Sequence, residues 1–487
     1  MKKFYLTTPI YYASGKPHIG HAFTTLYADV IARYQRTEEK KVFFGTGLDE
    51  HGSKIEKAAK LEKKEPQKFV NELAKYYIKT WKILEIKYDD FIRTTSKRHQ
   101  KGTLEFIKRL YQKGDIYPHF YQGFYCVDCE NFLQERNLIN GLCPEHLKKP
   151  QQIREKNYFF NLKKYLPIIK EKILKNKIRI IPETRRNEIL NIIDGDLSNF
   201  SITREKVKWG IPFPYEKNQT IYVWVEALMN YLTILDFPEG EKYKEFWSPD
   251  LHIIGTEINK FHSIFWPALL LAVKLPLPKV IFIHGLFTIN GQKMSKTLGN
   301  TIDPLDLVKR FSVDATRYLL LSQFSALEHG DIKESEFLKK YNSDLANGIG
   351  NLFERIFSMI INYRKGKIKK NLSLDKKIIV LAKSTETNYR QNMKNYLLFE
   401  ALKEIFLFIK NLDRYINEKQ PWNLYKKQDS ELDKILFTLF WSIEKIGFWL
   451  KPFIPSSIRK VENYIFQMKK GKLKNRDKLN LFPRIRK

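Results

Sequence analysis

The sequence predicts a split α/β domain with a parallel sheet, interrupted by a cysteine-bearing insertion and followed by an α-helical bundle. Three observations carry that prediction. Strand and helix patterns alternate over 1–116 and again over 211–335, every cysteine falls between those stretches, and beyond about 335 only helical periods occur.

The run KFYLTTPIYY (3–12) reads as a buried strand. The segment after it places Phe23, Leu26, Tyr27, Val30, Ile31 and Tyr34 on one face, an amphipathic helix with a period of about 3.6. KKVFFGTGLDEHG (40–52) is a second strand ending in a glycine-rich turn, and PQKFVNELAKYYIKTWKIL (66–84) is a second helix. Alternation of this kind points to parallel strands joined by helical crossovers. From about 117 the texture changes to short strands and turns. Alternation resumes in TIYVWVEALMNYL (220–232), DLHIIGTEINKFHSIFWPALLLAV (250–273) and KVIFIHGLFTINGQKMSK (279–296). The bundle follows in YNSDLANGIGNLFERIFSMIINY (341–363), LLFEALKEIFLFIKNLDRYI (397–416) and DKILFTLFWSIEKIGFWL (433–450), each with an apolar stripe. The expected spans are 1–116, 117–210, 211–335 and 336–487.

Composition narrows the function classes. Of 487 residues, 43% are hydrophobic, enough for real cores and against a disordered chain. Lys and Arg number 86 against 54 Asp and Glu, a net charge of +32 that suits a polyanionic partner, nucleic acid before membrane. A Lys/Ile/Asn-rich codon bias accounts for the excess equally well. The start, MKKFYLTTPIYY, offers no signal-peptide core, and the longest apolar stretch, IFWPALLLAV (264–273), is too short to span a bilayer. A cytoplasmic protein is expected, with no membrane partner. Three cysteines cannot all pair with one another, which favours metal or redox use.

Two stretches carry phosphate chemistry. In KPHIGHAF (16–23), His18 and His21 flank Gly20 at the start of a helix, where unpaired amides and the helix dipole favour an anion. In GQKMSKTLGN (291–300), Lys293 and Lys296 bracket Ser295 in a glycine-flanked loop able to close over a leaving pyrophosphate. Other nucleotide signatures fail. GLDEHGSK (47–54) ends Ser-Lys where a P-loop needs Lys-Ser or Lys-Thr, and GTGLDE (45–50) lacks the third glycine of a dinucleotide fingerprint. Within YCVDCENFLQERNLINGLCPEHLK (125–148), Cys126, Cys129, Cys143 and His146 form CxxC, thirteen residues, then CxxH, a closed tetrahedral set for one structural Zn²⁺.

PHIGH (17–21) and KMSKT (293–297) resemble the HIGH and KMSKS signatures of class I aminoacyl-tRNA synthetases. FYLTTPIYYASGKPHIGHAFTTLYADVIARYQR, TGLDEHG, IYVWVEALMNY, FHSIFWPALL and KMSKTLGNTIDP are together similar to the bacterial methionyl-tRNA synthetases of single zinc-knuckle type, almost end to end. The resemblance implies a Rossmann-like catalytic domain and an anticodon-binding bundle. It also implies formation of methionyl-adenylate from L-methionine and ATP with Mg²⁺, then transfer to the 3′-terminal adenosine of tRNA(Met). His18, His21, Lys293 and Lys296 would be catalytic. Gly20, Gly255, Glu257 and Ser295 would join them around ATP. Asp49 would take the amino group, and Ile10, Tyr12, Trp224, Ala227, Tyr231, His262 and Trp266 would wall the methionine side chain. Asn351, Arg355 and Trp422 would read the CAU anticodon.

The chain departs from the family at two carboxylates. Glu226 stands where Asp is usual in W-x-D-A, and Glu257 replaces the Asp of G-K-D-I, with Thr256 in place of Lys. Alternatives are a catalytically weak tRNA-binding paralogue and another class I synthetase. The insertion is too short for the editing domain of the aliphatic enzymes, and a cysteine-specific enzyme would need an active-site thiolate, whereas all three thiols sit in the knuckle. The sequence ends near LFPRI without a C-terminal OB-fold, so a monomer is expected.

Overall fold

The structure, a computed structural model, describes all residues except 128–130, 134, 136–137, 145–146, 196, 294–299, 370–371, 471–478 and 487, with backbone alone at Asn131 and Lys293. By compactness the chain forms two units. Unit 1 is Met1–Pro17, Gln35–Lys82 and Ile86–His284; unit 2 is His18–Tyr34, Ile83–Glu85 and Gly285–Lys487.

Unit 1 is built on a parallel six-stranded sheet. Its strands are β1 (Lys3–Tyr12), β2 (Lys41–Asp49), β3 (Asp90–Arg93), Arg179–Ile181, Leu251–Gly255 and Val280–His284. Their order across the sheet is β3, β2, β1, Leu251–Gly255, Val280–His284, Arg179–Ile181. The chain therefore runs outward from β1 on one side and later resumes on its other side. Such a reversal opens a crevice at the carboxyl ends of the strands, where ligands bind in open α/β sheets. β2 and β3 approach so closely that a Cβ on Gly47 would sit 2.1 Å from the Ile92 carbonyl oxygen, so this position needs glycine.

The insertion contains a second, antiparallel sheet in the order Asn131–Leu133, Ile116–Cys126, Gln151–Phe160, Phe200–Ser201. A buried pair, Arg204 to Glu155 at 2.9 Å, fastens it, with the guanidinium 3.8 Å from the centre of the Tyr125 ring. One strand inside the 117–210 span behaves differently from the insertion texture read there: Arg179–Ile181 crosses back and completes the edge of the parallel sheet. Three residues are too few for a periodic pattern to reveal it.

The helix α1 (Ile19–Thr37), whose residues up to Tyr34 belong to unit 2, is buried continuously from Ala22 to Ala32, not on one face alone. Burial of its polar side is made possible by Asp29, which pairs with Arg33 at 2.7 Å and with the fully buried Arg317 at 2.7 Å. Arg317 also donates to the carbonyls of Leu84, Pro452 and Phe453, which satisfies a charge that would otherwise be costly to bury. A three-stranded sheet (Gln292–Lys293, Phe287–Ile289, Gly330–Ile332) precedes a bundle of long helices: Asn351–Arg364, Lys376–Lys394, Leu398–Lys419, Glu431–Leu450 and Pro455–Lys469. Among the described residues no helix is long and apolar enough to cross a membrane.

Candidate functional site

His18 and His21 stack at the start of α1, ring centres 3.8 Å apart. The Gly20 N–H donates to His18 Nδ1 at 3.1 Å, and the His18 N–H donates to His21 Nδ1 at 3.3 Å. A backbone N–H can only donate, so both Nδ1 atoms are acceptors and each neutral ring carries its proton on Nε2. Two Nε2–H donors at a helix start are suited to charge on a phosphoryl oxygen.

The residues expected around the amino acid all fall in unit 1. Tyr231, His262 and Trp266 are 1%, 4% and 0% exposed. Tyr231 Oη lies 2.6 Å from His262 Nε2, and its ring centre is 5.8 Å from that of Trp266. His262 Nδ1 lies 2.9 Å from the Ile258 carbonyl, which can only accept. Nδ1 is therefore protonated, and Nε2 accepts from the Tyr231 hydroxyl. Burial pushes the His262 pKa down to about 4, so the ring is neutral near pH 7. His262 stands on a π-helical turn, Phe261–Phe265, a geometry frequent at functional sites. Trp224 is half-buried and stacks on Phe261 at 4.2 Å and 18°. Tyr12 and Trp224 border the same core that holds Tyr231 and Trp266. Ile10 instead packs against a second cluster around Tyr5 and Phe43.

Asp49 ends β2 in register with Tyr12 and is 6% exposed. The turn after it is fixed from several sides. Glu50 is buried, receives Arg93 Nε at 2.7 Å, and has its carboxyl pKa raised by burial. His51 Nδ1 meets Glu226 Oε1 at 2.5 Å. The departure at Glu226 is thus fully buried, on the helix Val223–Leu228 beside Trp224 and the half-buried Ala227. Glu257 is exposed, on the short turn Thr256–Ile258 that follows Gly255 at the end of its strand. A groove of about 780 Å³ opens beside Phe261 and Tyr222, lined further by Phe132, Phe159, Lys163 and Lys260.

Other expected residues fall as follows. Lys293 ends the strand Gln292–Lys293, while Ser295 and Lys296 lie outside the described residues. So do Cys129 and His146. Cys126 and Cys143 are buried in one small cluster with Leu133, and the described residues alone contain no group of three metal-binding side chains. In the bundle, Arg355 lies 5.5 Å from the centre of the Trp422 ring and donates to Asn417 Oδ1 at 2.8 Å. Asn351, exposed, begins the helix that carries Arg355. Sequence reasoning does not single out His51 or Phe261. Both lie inside the TGLDEHG and FHSIFWPALL signatures, which were the available signal.

A family model described as tRNA synthetases class I (M) matches residues 4–152 and 146–357. With the parallel sheet and the paired histidines, this defines the chain as a class I tRNA synthetase. A methionine–tRNA ligase of Thermotoga maritima is 42% identical over 94% of this chain and 74% of its own length, and one of Nostoc is 39% identical over 93% and 88%. The solved Mycobacterium tuberculosis methionyl-tRNA synthetase in complex with methionyl-adenylate is 33% identical, with a TM-score of 0.92 over 95% of this chain and 94% of its own. The chain belongs to the methionine–tRNA ligase family.

Proposed function

We propose that the residues gathered at the two histidines and at the strand ends carry out the family's two steps. In the first, the methionine carboxylate attacks the α-phosphorus of ATP. A carboxylate O–P bond forms, the bond to the β-phosphate oxygen breaks, and pyrophosphate leaves. His18 and His21 donate from Nε2 to the α-phosphoryl oxygens, with Gly20 between them, and Asp49 accepts the methionine ammonium. Gly255 and Glu257 lie against the nucleotide, and Lys293, Ser295 and Lys296 neutralise the departing pyrophosphate. Nothing covalent forms with the protein, so rate comes from positioning and charge compensation. In the second step a ribose hydroxyl of the terminal adenosine attacks the adenylate carbonyl and AMP leaves.

The observation that carries the reading is the neutral Tyr231–His262 pair inside an aromatic enclosure. A dry, uncharged wall beside Trp266 suits an apolar, polarisable thioether and disfavours charged side chains. Amino-acid-dependent exchange of pyrophosphate into ATP tests it. Methionine should support exchange, while leucine, isoleucine, valine and cysteine should fall far below it; equal exchange with leucine would overturn the assignment.

The groove beside Phe261 combines aromatic faces with Lys163 and Lys260, a combination that suits unstacked nucleotides of the tRNA acceptor end. Asn351, Arg355 and Trp422 are read as the contacts to the CAU anticodon, which is how proteins usually take up single-stranded RNA bases. Function is taken to follow the spans 1–116, 117–210, 211–335 and 336–487. Cys126, Cys129, Cys143 and His146 would hold one Zn²⁺. The fit rests on the donor set and on two of its thiols, Cys126 and Cys143, being buried together. The metal would supply a tetrahedral clamp for the knuckle. Metal analysis of freshly purified protein should find about one zinc per chain, reduced in Cys126→Ser. A monomer acting in the cytoplasm belongs to the same reading; sedimentation checks the former.

A further inference from the structure

Between Asp49 and the wall of the pocket lies a buried charge pair with no assigned work. Glu226 is 0% and His51 is 3% exposed, yet the two meet at 2.5 Å. Their positions in the chain give the pair its meaning. His51 is two residues beyond Asp49, on the turn that leaves β2. Glu226 sits between Trp224 and Ala227 on the helix Val223–Leu228. The remaining bonds of the turn make it rigid. The Tyr12 hydroxyl donates to the His51 carbonyl at 3.1 Å, Trp209 Nε1 donates to the Glu50 carbonyl at 2.6 Å, and the Gly52 N–H donates to the Trp209 carbonyl at 2.9 Å. Thr94 Oγ1 accepts from the Glu50 N–H at 2.9 Å. Of these contacts, the carboxylate of Glu226 is the one reaching the turn from the helix that bears Trp224 and Ala227. Oε2 of Glu226 is buried and makes no hydrogen bond, so the whole interaction runs through His51.

We propose that Glu226 and His51 act as a positioning pair that sets the distance between Asp49 and the Trp224–Ala227 wall, and so tunes affinity for methionine and not the rate of phosphoryl chemistry. The inference rests on the proposed roles of Asp49 and Trp224. Glu226 touches no reacting atom; it acts through His51. A pair spanning two elements is a better gauge of distance than a neutral contact, because removing either charge leaves the other buried and unpaired.

The pair also gives a pH signature. Burial lowers the affinity of His51 for a proton, but the charge and hydrogen bond of Glu226, with the charge of Glu50, outweigh it, and the pKa is raised above the ordinary 6.5. Other groups facing the ring are His99, held neutral by burial with a pKa of about 3, and Arg204, which lines the same small cavity and is occupied by Glu155. Arg93 reaches the turn through Glu50. With a raised pKa, the ionic pair is complete below about 6.5 and is lost as pH rises through the raised value.

The test is methionine-dependent pyrophosphate exchange with Glu226→Gln, an uncharged near-isostere. The KM for methionine should rise about 10-fold, with kcat and the KM for ATP within about 3-fold of wild type. In wild type the methionine KM should climb with pH above neutrality, and in Glu226→Gln it should be flat. Glu226→Asp, which keeps the charge on a shorter arm, should retain the pH step. A wild-type KM in Glu226→Gln, or a raised KM with the wild-type pH profile, overturns the proposal. If Glu226→Gln does not fold, as judged by its thermal unfolding, His51→Gln carries the same test. Asp49→Asn separates the two levels of the argument: if it leaves the methionine KM unchanged, the underlying reading of Asp49 fails. If Asp49→Asn raises KM while Glu226→Gln does not, only the pair is refuted.

Discussion

Tyr231 and His262 in unit 1 are almost fully buried and spend their polar atoms on each other and on a backbone carbonyl, whereas Arg355 and Trp422 in unit 2 are only half-buried, and Asn351 is exposed. The first arrangement is buried and uncharged, which suits the apolar side chain of the proposed substrate. The second keeps a cation near an aromatic face, at 5.5 Å, with both groups reachable by a base that must first leave its stack. In the proposed reading, selectivity for a small molecule and for an RNA loop would be built from different degrees of burial. A substitution in the first group should disturb folding and amino-acid recognition together, and one in the second should disturb tRNA alone.

The comparison is sharpened most by the paired histidines of unit 2, which are proposed to act in the chemistry and not in recognition. His21→Ala removes one preorganised donor, and the rate of methionyl-adenylate formation should fall by roughly 10²–10³-fold with little change in the methionine KM. Single-turnover measurement of adenylate formation checks this; an unchanged rate would mean that the stacked pair is only structural. A smaller effect is expected from pH. His262 and His99 are held neutral with pKa values of about 4 and about 3, both depressed by burial from the ordinary 6.5. In the window between these values and 6.5 the unfolded chain binds more protons than the folded one. The contribution of these two histidines is therefore fully present above about 6.5 and declines as pH falls toward 4, opposite in sense to that of His51, whose pKa is raised. Thermal unfolding across that range should show the decline, and His262→Gln should make it shallower.

Much of this was legible in sequence, and the limits have a physical pattern. The strand KFYLTTPIYY forms where its apolar run predicts, the helix after His18 forms although its burial exceeds the expected face, and Leu345, Ile349, Leu352 and Ile356 of the expected bundle stripe are all buried. The family resemblance, not spacing, grouped Arg355 with Trp422 and His262 with Tyr231, and each pair lies close in the structure. What periodicity does not encode is pairing across the chain. Asp29 is buried against Arg317, 288 residues later, a partner no local pattern announces. Glu226 was a departure from a familial pattern until His51, 175 residues earlier, gave it a partner. The strand Arg179–Ile181 escaped because an edge of three residues takes its identity from its neighbour Val280–His284.

The division of labour itself is tested most directly by Trp422→Ala, assayed for both half-reactions in one preparation. Loss of a stacking face is worth roughly 1–3 kcal/mol, so kcat/KM for tRNA(Met) should fall about 5- to 150-fold and the preference for a CAU anticodon over a single-base variant should shrink. Methionine-dependent pyrophosphate exchange, which needs no tRNA, should stay within about 2-fold of wild type. An intact CAU preference, or a matching loss in pyrophosphate exchange, would contradict the assignment of anticodon reading to Trp422 and of methionine activation to residues independent of it.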